Sequence, residues 1–171
     1  FGLENALWFA KNQKDAHEEP TFKRSRSHNY VSEEVKAVRS SVGATEIANF
    51  AKHEFTGKGA RKFLDYILAG RIPKPGRIIL TPMLTPKGKL YGDLTVACLQ
   101  EEKFMIFGSG AAQEMHRRWF EKFLPKQDVN YKNRSDDFHG IAISGPNSRH
   151  LLSKICREDV SDKMFRFRDT R

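Results

Sequence analysis

Long apolar runs are missing from these 171 residues. None approaches the ~18 consecutive apolar positions that a membrane-crossing helix needs, so no membrane is expected as a partner. No signal-peptide pattern stands at the start, although the chain begins at Phe1 rather than Met. Cysteine is scarce. Cys98 and Cys156 are the only two, which excludes a disulfide scaffold. Both sit in apolar patterns, which predicts buried thiols in a reduced compartment, with a disulfide or a reactive thiol as the alternatives. Metal-ligand spacing is absent as well. The histidines, at positions 17, 28, 53, 116, 139 and 150, include no pair four apart around a glutamate, and no metal is expected. No serine sits in a nucleophile elbow, and Ser144 before Gly145-Pro146 suits a turn. Repeats and low-complexity stretches are lacking too.

What is present describes a folded domain. The length suits one domain with a sizeable core, and 39% hydrophobic against 30% charged residues places the chain among globular proteins rather than disordered ones. Lys and Arg total 30 against 21 Asp and Glu, a net charge of +9. Such a surface is either simply solvated or draws an anionic small ligand or a nucleic acid. The densest basic group, Lys23-Arg24-Ser25-Arg26, is short. No nucleic-acid recognition motif accompanies it, so nucleic acid is not the expected partner.

Residues 1–30 read as an irregular arm, anchored by Leu7, Trp8 and Phe9. Ser32 is placed to cap a helix, with Glu33 and Glu34 at its positive end, Val35, Val38 and Val42 as its stripe and Gly43 as its stop. Residues 45–56 read as a strand in which Asn49 and His53 share a face with Ile47 and Ala51. Two readings stay open for it: one wall of a ligand pocket, or an edge strand. Residues 57–69 carry the best helical pattern, in Ala60, Phe63, Leu64, Ile67 and Leu68, and Gly70 closes it. Further strands are predicted at 104–107, 129–132 and 139–144. A helix at 111–124 is expected to bury Met115, Trp119 and Phe123, and a last helix carries Leu151, Leu152, Ile155 and Cys156. Gly108-Ser109-Gly110 is read as a tight strand-to-helix turn rather than an anion cradle, since it lacks the third glycine of a dinucleotide site and the lysine of a P-loop. Asp136-Asp137 follows Asn133-Arg134-Ser135 and is read as a solvated loop. The mixture predicts an α+β fold, a mixed, mostly antiparallel sheet with packed helices.

The centre of the chain is a hairpin. Arg77–Leu84 is apolar and β-branched, Thr85-Pro86-Lys87-Gly88 is turn chemistry, and residues 89–99 alternate. On the second strand Leu94, Val96 and Cys98 point one way and Asp93, Thr95 and Ala97 the other. Asp93 is thus a carboxylate on a stiff strand. Gly92 beside it is expected to leave room for a ligand to come close. Residue chemistry alone makes such a carboxylate structural or exposed more often than functional.

The motifs FGLENALWFA, EEVKAVRSSVGATEIANFAKHEFTGKGA and RIPKPGRIILTPMLTPKGKLYGDLTVA, followed by FGSGAAQEMHRRWF, GIAISGPNSRHLL and REDVS, run over nearly the whole chain. In this order they resemble the folate-binding aminomethyltransferase region of the dimethylglycine and sarcosine dehydrogenase family. That region is similar to the aminomethyltransferase (T-protein) of the glycine cleavage system. Where the free T-protein shows two adjacent acids, this chain has Gly92-Asp93, and the acid that remains is the one the family uses to contact folate.

The resemblance implies an enzyme in which a separate flavin domain, carrying FAD, oxidises an N-methyl amine to an iminium. Tetrahydrofolate then takes the one-carbon unit and becomes 5,10-methylenetetrahydrofolate. It implies Asp93 as the catalytic carboxylate beside the pterin, Phe50 as an apolar contact, and Leu80, Tyr91 and Gly108 near the same pocket. It also implies that residues 1–30 are an arm or linker from a preceding flavin domain. Residues 31–171 would then be the N-terminal part of the aminomethyltransferase-like domain, cut short of its own C-terminal portion and inactive alone. The folate tail's glutamates give the basic surface a partner. The implied compartment is the bacterial cytoplasm or the mitochondrial matrix. The alternatives are a non-catalytic binding or assembly module of the same fold, or a free glycine-cleavage-type aminomethyltransferase.

Overall fold

Period-two patterning places five strands in one antiparallel sheet. A computed structural model describes residues 6–171, and the chain divides into two compact units. One holds the described residues up to Thr45 together with Ala142–Val160. The other holds Glu46–Ile141 and Ser161–Arg171.

The second unit carries strands β2 (Ala51–Thr56), β3 (Arg77–Leu84), β4 (Leu90–Gln100), β5 (Lys103–Gly108) and β6 (Asn130–Asn133), in the order β3-β4-β5-β2-β6. Every neighbouring pair is antiparallel. The β3–β4 turn closes as its residues require: Gly88 takes φ +70°, its N–H donates to the Thr85 carbonyl at 2.8 Å, and the Thr85 N–H donates to Lys89 at 2.8 Å. One sheet face is the core. Leu94, Val96 and Cys98 of β4 pack there with Phe55, Phe104 and Ile106, under helices α2 (Ala60–Ile67) and α3 (Gln113–Phe123). Helix α2 buries Ala60, Phe63, Leu64 and Ile67, as its spacing predicts.

One strand, one helix face and one thiol depart from expectation. The strand expected over 45–56 is broken: β1 (Gly43–Glu46) ends before a turn that carries Phe50, and β2 starts after it. Helix α3 is turned by about one residue from the expected face. His116 and Phe120 are buried, Trp119 and Phe123 are half-buried, and Met115 is exposed. The two cysteines also differ: Cys98 is buried and Cys156 is exposed.

In the first unit helix α1 spans Ser27–Ser40. It therefore begins inside the stretch read as irregular, five residues before Ser32. Its N-terminus is satisfied by Glu18, whose carboxylate accepts the Ser27 N–H at 2.9 Å and the Arg26 N–H at 3.2 Å. Trp8 lies against Tyr30 with ring centroids 5.4 Å apart, and the Tyr30 hydroxyl donates to Asp15 at 2.6 Å. Strand β1 pairs with β7 (Ile141–Ser144), and helix α4 (Ser148–Ile155) follows. Among the described residues no helix is long and apolar enough to cross a membrane.

Candidate functional site

The face of the sheet turned away from α2 and α3 floors a cavity of about 710 Å³, within the range of small-molecule sites. Alternation decides who reaches it. Asp93, Thr95, Ala97 and Leu99 come from β4, Leu80 from β3, and Met105 and Phe107 from β5. The turn before β2 supplies Ile47 and Phe50 to the rim, the segment after β6 supplies Phe138, His139 and Gly140, and the C-terminal segment adds Thr170. That last segment is laid along the edge strand: the Ile78 N–H donates to the Arg168 carbonyl at 3.0 Å, and the Thr170 N–H to Gly76 at 2.9 Å.

Carbon dominates this lining, and Asp93 is the acid in it. The residue is exposed, and among the described residues no hydrogen bond or ion pair engages its carboxylate. Pro82 lies opposite it in the register, on the edge strand where a missing N–H is tolerated. Arg77, the arginine of the same strand, is held elsewhere, by Asp169 and the Phe167 carbonyl. The carboxylate is therefore open to a donor brought by a ligand, such as a ring N–H or an amine.

The structure brings four of the five sequence-derived positions together: Asp93, Phe50, Leu80 and Gly108 all line the cavity. Phe50 and Leu80 are exposed within it, at 47% and 67%. Tyr91 does not join them. A register slip between Met83 and Leu84 leaves Tyr91 without a strand partner, and it turns to the helical face to pack on Trp119, with centroids 4.4 Å apart.

Gly92 also serves the core rather than the ligand. A Cβ there would lie 3.0 Å from His116 Nε2 and 3.3 Å from both Leu94 and Met83. Gly108 is similar, its missing Cβ falling 2.8 Å from Leu94 and 3.1 Å from His116 Nδ1.

Beneath the floor lies a buried polar cluster. His53 Nδ1 bonds the Tyr131 hydroxyl at 2.9 Å, and His116 Nε2 donates to the Tyr91 carbonyl at 3.2 Å. Burial, and then the neighbouring His116, push the His53 pKa down to about 4, and burial lowers that of His116 as well. Both rings are neutral at neutral pH. Among the described residues no group of His, Cys, Asp and Glu could hold a metal.

Sequence reading missed Lys52, His139, Phe138 and Thr170. Period two flags positions on long strands, whereas the last three lie in irregular segments that only the fold brings to the cavity. Lys52 is the second residue of a short strand, and its role rests on backbone carbonyls that no residue pattern reveals.

Comparison with known proteins bears on the whole chain. The family model described as the GCVT N-terminal domain matches residues 1–171. The mitochondrial dimethylglycine dehydrogenase of Homo sapiens is 35% identical over 173 residues, covering 99% of this chain and 20% of that protein. An aminomethyltransferase of Thermosipho melanesiensis is 32% identical over 132 residues, covering 76% of this chain and 36% of the enzyme. The chain thus spans about a fifth of one of these relatives and about a third of the other. Among solved structures, the glycine cleavage system aminomethyltransferase T from Bartonella henselae superposes with a TM-score of 0.62 at 20% identity, over 71% of this chain and 34% of that one. A chain of the heterotetrameric sarcosine oxidase from Corynebacterium sp. U-96 gives 0.54 at 14% identity, over 80% of this chain and 68% of that one. The fold is accordingly the α+β arrangement of the aminomethyltransferase T-proteins, and the chain belongs to the GCVT N-terminal domain family.

Proposed function

We propose that this chain is the folate-binding part of a flavin-dependent N-methyl amine dehydrogenase of the dimethylglycine or sarcosine type, and that it serves the transfer of a one-carbon unit to tetrahydrofolate. The observation that carries the reading is the unpartnered Asp93 carboxylate on the floor of a cavity otherwise lined mainly by carbon. A reduced pterin suits that combination. Its ring is flat and rich in N–H donors, for which a carboxylate is the natural acceptor. Its faces suit Phe50 and Leu80. A surface of net charge +9 favours approach of the anionic glutamate tail.

Bound tetrahydrofolate supplies the nucleophilic nitrogen that accepts the one-carbon unit. Asp93 accepts a hydrogen bond or a proton from that nitrogen and stabilises positive charge as it develops nearby. Phe50 and Leu80 cover the ring and keep water from the reacting face. Asp93 is then the catalytic residue, and Gly108 contributes main chain to the cavity wall while its missing side chain leaves room for His116 behind it. Tyr91 acts from behind, by bracing β4 against α3.

Amine oxidation and its FAD are assigned to a flavin domain outside these 171 residues, and further folate contacts to a domain C-terminal to them, so that the isolated chain is inactive. Near-complete coverage by the dehydrogenase match supports this reading over that of a free aminomethyltransferase, whose match covers 76% of the chain. The corresponding compartment is the mitochondrial matrix or, in a bacterium, the cytoplasm.

The test is tetrahydrofolate titration and one-carbon transfer by the full-length protein, with and without Asp93→Ala. The substitution should lower transfer by roughly 10²–10⁴-fold, the span of a general acid–base group. Equal affinity and equal transfer in both proteins would remove Asp93 from the mechanism.

A further inference from the structure

Lys52 is 3% exposed, an unusual place for an ammonium group. Among the described residues no carboxylate stands within ion-pair distance of it. Its Nζ instead donates to three main-chain carbonyls: Ala48 at 2.7 Å, Phe50 at 2.8 Å and Ser135 at 3.3 Å. Those three bonds use every proton of the ammonium. No donor is left for a ligand, so Lys52 does not bind one directly although it lines the cavity.

The carbonyls belong to the two segments that form the rim. Ala48 and Phe50 lie in the turn before β2, and Ser135 opens the segment that ends in Phe138, His139 and Gly140. The backbone of the same residue repeats the link. The Lys52 N–H donates to Ser135 Oγ at 2.9 Å, and the Lys52 carbonyl accepts the Arg134 N–H at 2.7 Å. Ser135 Oγ in turn donates to Asn133 Oδ1 at 2.7 Å. Arg134 lies over the Phe138 ring, 4.9 Å from its centroid, and pairs with Asp137 at 2.6 Å. The rim segments also meet directly, where the Ile47 N–H donates to the Gly140 carbonyl at 2.7 Å. A buried charge is costly unless every proton finds an acceptor, so the ammonium draws these carbonyls inward.

We infer that Lys52 is a positioning residue: its buried ammonium joins the 46–50 and 134–140 segments into one rim and so sets the Phe50 side of the cavity. The ligand arm of the test rests on the folate reading, and the exchange arm does not. Lys52→Met in the full-length protein keeps an unbranched apolar stem and removes the charge. Hydrogen exchange in residues 46–50 and 134–140 should rise by at least about tenfold, with β4 and β5 unchanged. With tetrahydrofolate varied, KM should rise by about tenfold or more while kcat at saturation is largely kept. Lys52→Arg should not restore the rim, because a planar guanidinium does not match three acceptors gathered around a compact ammonium. If Lys52→Met fails to fold, Lys52→Gln, which keeps a shorter neutral N–H donor toward the carbonyls and removes the charge, should give the same localised pattern more weakly.

Unchanged exchange in both segments, or an equal rise through the whole sheet, would overturn the inference. So would full function in Lys52→Met, since the stem alone would then suffice. If the exchange pattern appears as described but the parent protein binds no tetrahydrofolate, the folate reading fails and the positioning role stands.

Discussion

Positions 92 and 108 lie beside the cavity but are constrained from behind it. A methyl group at either would press on His116, at 3.0 Å from position 92 and 3.1 Å from position 108. Gly92→Ala and Gly108→Ala are therefore expected to lower stability by about 1–3 kcal/mol, the usual cost of overpacking, and thermal unfolding without ligand measures it. A purely ligand-facing role for Gly92 would instead leave apo stability intact and weaken binding alone. Asp93 was legible in the sequence because alternation on one well-marked strand fixes its face. Lys52 was not legible, because the groups that explain it are carbonyls of residues 48, 50 and 135, and main-chain acceptors carry no residue signature.

The hairpin of β3 and β4 and the helix α2 follow from their patterns because turn chemistry and apolar spacing agree there. Helix α3 shows where pattern fails. Its aromatic stripe suggested Met115, Trp119 and Phe123, yet the neighbouring stripe of His116 and Phe120 is the one buried. The missing side chains of Gly92 and Gly108 open the space that His116 fills, and an imidazole does not register as apolar.

That substitution of a histidine for a hydrophobe has a consequence in acid. His53 and His116 are neutral in the fold and take up protons in the unfolded chain at the ordinary value of 6.5. Folded His53 does so only near pH about 4. Unfolding therefore binds protons between these limits, and stability falls as pH drops through that window while staying flat above it. The loss tied to His53 is on the order of 3 kcal/mol when complete.

Asp169 and Glu114 act at lower pH. The Arg166 N–H, followed by Arg77, holds the Asp169 carboxyl below its ordinary 3.8, and the Arg117 guanidinium holds Glu114 below 4.5. Chemical denaturation at pH values from 7 down to ~5.5, above the range in which the unfolded carboxylates take up protons, thus isolates the histidines. Replacing His53 by Leu should flatten the slope, and an unchanged slope would show that His53 titrates normally in the fold.

Over the whole molecule, the five-stranded sheet divides its work by face. Leu94 is fully buried on the helical side, and Leu80 is 67% exposed on the cavity side. Leu94→Ala is expected to cost about 2–5 kcal/mol of stability. Leu80→Ala should cost within ~0.5 kcal/mol and weaken tetrahydrofolate binding instead. Denaturation and titration on the same two variants check the division. Fold class and the β4 part of the cavity floor were readable because they rest on period two and period 3.6, whereas Leu80 on the floor and Phe50 on the rim followed from the family resemblance. The rest of the rim was not legible, because it is assembled from the break at residues 47–50, from 138–140 and from the C-terminal segment, whose meeting depends on the complete topology.

The most direct test of the account is a crystal structure of the full-length protein with a stable reduced folate. The account predicts the pterin in this cavity, with a ring or linking nitrogen within hydrogen-bond distance of Asp93 and Phe50 against one ring face. A reduced folate bound elsewhere, with Asp93 facing only solvent, would contradict it.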